Sequence, residues 1–328
     1  MKKAPSPLVS LIPLVVLVIM LFATIRTFGS DALSGGSQVS LLTTTAVCIL
    51  IGMGFYKIGW KDFELAITNN ITGVSTALII LLIIGALSGA WMISGVVPTL
   101  IYYGVQIIHP SFFLTSTCII CALVSVMTGS SWTTIATIGI ALMGIGKAQG
   151  FEEGWIAGAI ISGAYFGDKI SPLSDTTILA ASVTDTPLYM LITTVPSLII
   201  TLVIFTVAGL SHNAGSTEHI AEFSAALAGK FHITPWLLIV PVVTGVLIAW
   251  RVPSVITLFL SAALAGAFAV FFQPDLLQEI SGLQNSEGTQ SIFKGLMMTL
   301  YGGTSLQTSN EALTELVATR VMAGMLNT

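Results

Sequence analysis

Positions 167–177 read Gly-Asp-Lys-Ile-Ser-Pro-Leu-Ser-Asp-Thr-Thr and lie between two apolar runs. A charge at the centre of a hydrocarbon layer costs roughly 2.5–3.5 kcal/mol on insertion scales, so Asp168, Lys169 and Asp175 are functional candidates. Asp175 is flanked by Ser174, Thr176 and Thr177. One carboxylate, several hydroxyls and the carbonyls freed at the Gly/Pro interruption form a hard-oxygen donor set that suits a small hard cation. A single carboxylate points to a monovalent ion. The same carboxylate can take a proton instead when it is desolvated. Competition of Na+ and H+ for one acid is the simplest form of exchange. Two structural readings stand beside this one. Asp168 and Lys169 can form a neutralising pair that only stabilises an unwound turn. Asp175 can cap a helix that starts at Thr176, which is compatible with ion binding.

A second polar cluster precedes the first. Thr128, Ser130, Ser131, Thr133 and Thr134 place five hydroxyls around Gly129. Back-bonding inside an ordinary helix accounts for some Ser and Thr residues, but this cluster is denser than back-bonding needs. The run Thr43–Thr45 is read as helix packing. His109, before Pro110, reads as a turn residue, and Glu152 and Glu153 read as water-facing. Gly154, Gly158 and Gly163 suit close helix packing.

The elements that hold these clusters must lie in a membrane. The 328 residues are 54% hydrophobic and 8% charged, against about 25% charged in a soluble domain. Mean hydropathy is +0.95. A bilayer core needs roughly 20 apolar residues per helix. Continuous spans are expected at Leu8–Arg26, Val39–Tyr56, Thr72–Met92, Leu188–Leu210, Thr234–Trp250 and Val252–Phe272. Trp60, Trp91, Trp155, Trp236 and Trp250 sit near segment ends, where interfacial aromatics belong. The stretch Ser94–Pro187 is apolar but repeatedly interrupted. Two helices around the Thr128–Ser131 tip read as a re-entrant hairpin, and Gly154–Phe166 followed by the 167–177 break reads as an unwound spanning helix. Irregular backbone at membrane depth is tolerated only against protein or a water-filled cavity. Ser211–Phe231 and Gln273–Glu311 read as connecting loops with room for an amphipathic turn.

Lys2 and Lys3 precede the first span, Lys57 and Lys61 follow the second, and Arg26 alone lies between, which favours a cytoplasmic N-terminus. The apolar run after Lys3 is long for a signal peptide. Cys48, Cys118 and Cys121 lie in apolar stretches without a metal spacing.

Glu64-Leu65-Ala66-Ile67-Thr68 with Gly73 matches Glu315-Leu316-Val317-Ala318-Thr319 with Gly324 at an offset of 251. Each copy follows two apolar spans. Residues 1–233 are therefore expected to form a first transmembrane repeat with hairpin and broken helix, and 234–328 the start of a second, incomplete one. The counterpart of the broken region would lie beyond Thr328, so the chain is expected to hold one half-site of a longer transporter.

No H-E-x-x-H, G-x-S-x-G or P-loop is present, and Gly146-Lys147 lacks the required glycine because position 141 is Ala. An enzyme is not expected, and neither is a cofactor beyond transported Na+ and H+. No basic run points to nucleic acid.

Thr128-Gly129-Ser130-Ser131-Trp132-Thr133-Thr134-Ile135-Ala136-Thr137-Ile138-Gly139 and Ser162-Gly163-Ala164-Tyr165-Phe166-Gly167-Asp168-Lys169-Ile170-Ser171-Pro172-Leu173-Ser174-Asp175-Thr176-Thr177 resemble the NhaC family of Na+/H+ antiporters. The resemblance extends from about Trp91 to Leu210. It implies an all-α integral membrane secondary transporter with two inverted repeats, a re-entrant hairpin and a broken helix, multi-pass in a bacterial cytoplasmic (inner) membrane. By resemblance, Asp168, Ser171, Ser174, Asp175 and Thr176 belong to the ion site, with Ser130, Ser131 and Thr133 opposite. Asp175 would hold Na+ transiently and Lys169 would supply a counter-charge. The expected partners are the lipid bilayer, Na+ and H+, with a homodimer left open. The implied activity is exchange of Na+ for H+. The alternative is Na+/H+-coupled exchange of carboxylates such as malate and lactate, which the family also contains.

Overall fold

The computed structural model describes residues 6–29, 32, 35–171, 174, 177, 191–211, 217–283, 288–302, 306 and 313–314. These residues are helical, with no strand among them. The described residues divide into two compact units, one ending at Leu81 and the other beginning at Leu82.

In the first unit, α1 (Pro7–Phe28) and α2 (Gly36–Tyr56) form an apolar pair. Ser6 caps α1, and its backbone N–H also donates to Tyr56 Oη at 3.0 Å. Thr24 and Ser40 share a buried hydroxyl bond of 3.0 Å. Thr43, Thr44 and Thr45 each donate to the carbonyl four residues back, so this run is ordinary helical back-bonding. The next helix, α3 (Trp60–Ile93), has 34 residues and is about 51 Å long at 1.5 Å per residue. That exceeds a bilayer core of about 30 Å. Its first turns carry Lys61, Asp62 and Glu64, which explains why hydropathy alone starts the span later, at Thr72.

In the second unit, the end of α3 leads through Ser94–Gly95 into α4 (Val96–Ile107). A 3-10 turn, Pro110–Phe112, capped by His109, opens α5 (Phe113–Thr128). Then come α6 (Ser131–Thr134), a π-helical turn at Ile135–Gly139, α7 (Ile140–Ala148) and α8 (Glu153–Ile170). Lys147 pairs with Glu153 across the α7–α8 connection. After α9 (Leu191–Ser211) follow α10 (Thr217–Lys230), α11 (Ile239–Ala249), α12 (Ser254–Phe272), α13 (Pro274–Ser281) and α14 (Gly288–Met297). A second π-helical turn, Met298–Gly302, closes α14.

Six helices among the described residues are long and apolar enough to cross a bilayer. Five coincide with spans expected from sequence. The sixth is Pro110–Thr128, which the sequence reading placed inside the interrupted region. Thr234–Trp250 is not a single straight span. Its helical part joins Ile220–Lys230 at a bend of 92°, and the two together make a seventh candidate. Two stretches expected as loops are therefore largely helical: α10 within 211–231, and α13 with α14 within 273–311. Each is too polar or too short for a hydropathy window to register.

Trp91 corrects another expectation. It is 2% exposed and not interfacial. Its indole N–H donates to Ser261 Oγ at 3.0 Å, and Ser261 shares a 2.6 Å hydroxyl bond with Thr244. A buried indole N–H needs such a partner, and here α12 supplies it.

Candidate functional site

The site region is built on the seam between α5 and α8. Gly163 backs onto the carbonyl of Cys118, and Gly167 onto that of Ala122. Ser171, just past α8, donates its hydroxyl to the Val126 carbonyl at 2.8 Å. These three contacts climb both helices in steps of four at one constant offset, so α5 and α8 run parallel. Glycines four apart let two backbones touch, as in small-xxx-small packing. Gly163 was expected to pack closely and does. Gly154 faces open space, and Gly158 only approaches Phe205 at 3.9 Å.

The return segment runs the other way. Gly146, late in α7, packs on Phe113 at the start of α5 and on Ile156 early in α8, while Gly139 packs on Ile160. The chain therefore goes up α5, reverses at Gly129–Ser130, comes down through the π-helical turn and α7, and goes up again in α8. Both sequence breaks fall at the same end of this three-stranded arrangement. α9 lies antiparallel to α5, with Thr206 bonded to Thr115 at 2.9 Å and Gly209 against the Ser111 carbonyl.

At the first break, Gly129 takes φ +65°, and its N–H donates to the Ser125 carbonyl at 2.8 Å. This left-handed glycine ends α5. Ser130 Oγ accepts from Thr133 N–H at 3.2 Å and from Thr133 Oγ1 at 3.1 Å, capping α6. The Ser130 carbonyl receives the hydroxyls of Thr128 at 3.1 Å and Thr134 at 3.0 Å. Ser131 and Thr133 are buried, and Ser130 is partly so. Thr137 donates to the Thr133 carbonyl at 2.7 Å inside the π-helical turn, a feature frequent at functional sites.

At the second break, α8 ends at Ile170. Asp168 is 6% exposed, and Ser171 and Ser174 are fully buried. The Ser174 N–H donates to the Ser171 carbonyl at 3.3 Å, and Thr177 N–H to Ser174 Oγ at 3.4 Å. Thr177 Oγ1 reaches back to the carbonyls of Asp168 and Lys169 at 3.1 and 3.3 Å. Those carbonyls belong to the last turn of α8, which has no intrahelical donors for them. Lys169 Nζ lies 4.0 Å from Asp168 Oδ2, and its side chain is half exposed. Adjacent helical residues do not face one another, so this contact is at the edge of an ion pair. Asp175 and Thr176 lie outside the described residues.

The structure thus brings Ser171 against the closing turn of α5, with Asp168 and Ser174 buried beside it in the same break, and α6, which carries Ser131 and Thr133, packs on α8. Two parallel helix C-termini end there together, and their partial negative charge favours a cation. Ser125 and the π-helical turn were not singled out from sequence. The Gly163/Gly167 spacing signals a close partner for α8, but no local pattern says that the partner is the helix ending at Thr128.

Residues 5–187 match the model of the Na+/H+ antiporter family. A malate-2H(+)/Na(+)-lactate antiporter of Bacillus subtilis is 38% identical over 300 residues, covering 88% of this chain and 60% of the relative. The Na(+)/H(+) antiporter NhaC of Alkalihalophilus pseudofirmus is 36% identical, covering 83% of this chain and 57% of the relative. NhaC of Bacillus subtilis is also 36% identical, with 79% and 55% covered. The chain spans about 55–60% of the length of these curated relatives. No solved structure matches it. With a matched family model over more than half its length and, among the described residues, six helices long and apolar enough to cross a bilayer, the chain belongs to the Na+/H+ antiporter family, as a multi-pass protein of the cytoplasmic membrane.

Proposed function

We propose that this protein is a secondary transporter, not an enzyme, and that it exchanges Na+ for H+ in the cytoplasmic membrane. The observation that supports this most directly is the meeting of two helix breaks at one end of the α5–α8 seam. There Asp168, Ser171 and Ser174 are buried, Ser171 bonds the Val126 carbonyl near the end of α5, and α6, which carries Ser131 and Thr133, packs on α8. Helix C-termini, hydroxyls and carboxylates supply hard oxygens for Na+. Asp175 is the proposed acid shared by Na+ and H+. Ser171, Ser174 and Thr176 flank it, Asp168 adds a second carboxylate, and Ser130, Ser131 and Thr133 face them. Lys169 offsets the acidic charge. The NhaC relatives support the Na+/H+ reading.

A second reading has its own support. The Bacillus subtilis relative named for malate and lactate shares 38% identity, and Lys169 offers a cation for a carboxylate.

The test is proton movement after a sodium jump, in liposomes carrying the protein and an internal pH dye. Sodium-driven flux without any organic anion is expected. Asp175→Asn is expected to abolish it while membrane insertion is kept. Retained sodium-dependent flux in that variant would remove Asp175 from the role. Flux that appears only with malate or lactate would replace Na+/H+ exchange by the second reading.

A further inference from the structure

We infer that Ser125 is a positioning residue that ties the two helix breaks together, so that the Asp168 turn and the Thr128–Thr134 tip keep one geometry. The inference rests on the reading of these breaks as the ion site. Ser125 is completely buried in α5. Its carbonyl accepts the Gly129 N–H at 2.8 Å, the bond that closes α5 at the first break, and shares the single Thr128 hydroxyl proton, at 3.2 Å, with the Ser130 carbonyl. Its own hydroxyl crosses the seam and donates to the Ala164 carbonyl at 2.5 Å. Ala164 lies one helical turn before Asp168, at the second break.

Helical Ser and Thr side chains ordinarily return the hydroxyl to a carbonyl three or four residues back in their own helix. Thr137, Thr206 and Thr244 do so in this unit. Ser125 does not, because α8 is close enough to offer its own carbonyl. Gly167 creates the room, since a Cβ there would stand 2.6 Å from Ser125 Cβ. Ser171 makes the opposite crossing, donating to the Val126 carbonyl at 2.8 Å. Two hydroxyl bonds therefore run in opposite directions across the seam, and one residue, Ser125, carries a bond toward each break. A shift at Asp168 is passed through the Ala164 carbonyl and Ser125 to Gly129 and Thr128. Ser125 acts through these neighbours and is not itself an ion ligand.

The experiment is hydrogen–deuterium exchange on the full chain in lipid nanodiscs, comparing Ser125→Ala with Thr206→Val. The second variant removes a hydroxyl bond to α5 at Thr115, far along the helix from the breaks. Ser125→Ala should speed exchange several-fold in both 126–134 and 164–171, whereas Thr206→Val should speed neither. Acceleration confined to one segment, or absent from both, would overturn the link. If Ser125→Ala does not fold, Ser125→Cys, with a weaker donor of similar size, carries the same comparison. In the sodium-jump assay, Ser125→Ala should raise the sodium concentration for half-maximal flux at least threefold, with Thr206→Val leaving it unchanged. An unchanged half-saturation in Ser125→Ala would reduce Ser125 to a structural contact and overturn its positioning role. Absent flux in the unsubstituted protein would refute the antiport reading instead, and the exchange comparison would still decide the link.

Discussion

Gly167→Ala tests the seam on which the site is built. A methyl at Gly167 would stand 2.6 Å from Ser125 Cβ and 2.9 Å from Val126 N, and it would also meet the Ala122 carbonyl. Non-bonded carbons settle at about 3.5–4.0 Å, so α5 and α8 must part by about 1 Å. The obstacles are mostly backbone, which cannot swing aside. Parting by that much stretches the Ser125–Ala164 bond from 2.5 Å and the Ser171–Val126 bond from 2.8 Å, to about 3.5 and 3.8 Å, at or past the limit of a hydrogen bond. Overpacking costs about 1–3 kcal/mol and each hydrogen bond in a membrane interior about 0.6–1.7, which gives roughly 2–6 kcal/mol in all. The matched control is Gly154→Ala, where a Cβ meets nothing within 4 Å. Thermal unfolding in detergent should place Gly167→Ala well below the unsubstituted protein and Gly154→Ala at or slightly above it. Equal melting of the two variants would refute the close-seam geometry.

Two further expectations concern single polar side chains. Gln273, 5% exposed, donates to the His232 carbonyl and accepts the His232 N–H, both at 3.1 Å, and so pins the 92° bend between α10 and α11. Gln273→Leu should cost about 1–3 kcal/mol and make residues 231–234 faster to cleave in limited proteolysis. Unchanged cleavage there would show that the bend holds without the amide. Ser130→Ala removes the cap of α6 and should cost about 0.5–2 kcal/mol. Ser130→Thr should restore most of the stability, as read from melting temperature.

The membrane class and most spans were legible in the sequence, because hydropathy is a local property that lipid reads residue by residue. The polar breaks were legible for the same reason: Gly129 with its hydroxyl neighbours and the 167–171 stretch interrupt apolar runs that otherwise need no interruption. Charge and hydroxyl neighbours also singled out Asp175, and the resemblance placed it and Thr176 in the ion site; the described residues cover neither. Helices such as α10, α13 and α14 escaped notice because an amphipathic or short helix has no hydropathy signature of its own. Trp91 was misplaced because position in the chain does not reveal depth in the fold. Its buried indole N–H finds a partner because α12 brings Ser261 to it.

The sequence by itself determined that two irregular segments rich in oxygen donors lie inside a membrane protein, since unsatisfied backbone and charge are too costly there to be incidental. That both segments sit at the same end of one seam was decided by tertiary structure alone. Gly163 and Gly167 permit contact with some helix, but only the packed chain selects α5, sets the two helices parallel and aligns Val126 with Ser171. The physical reason is range: hydropathy and backbone interruptions act over one turn, whereas the pairing of Ser125 with Ala164 joins residues 39 apart.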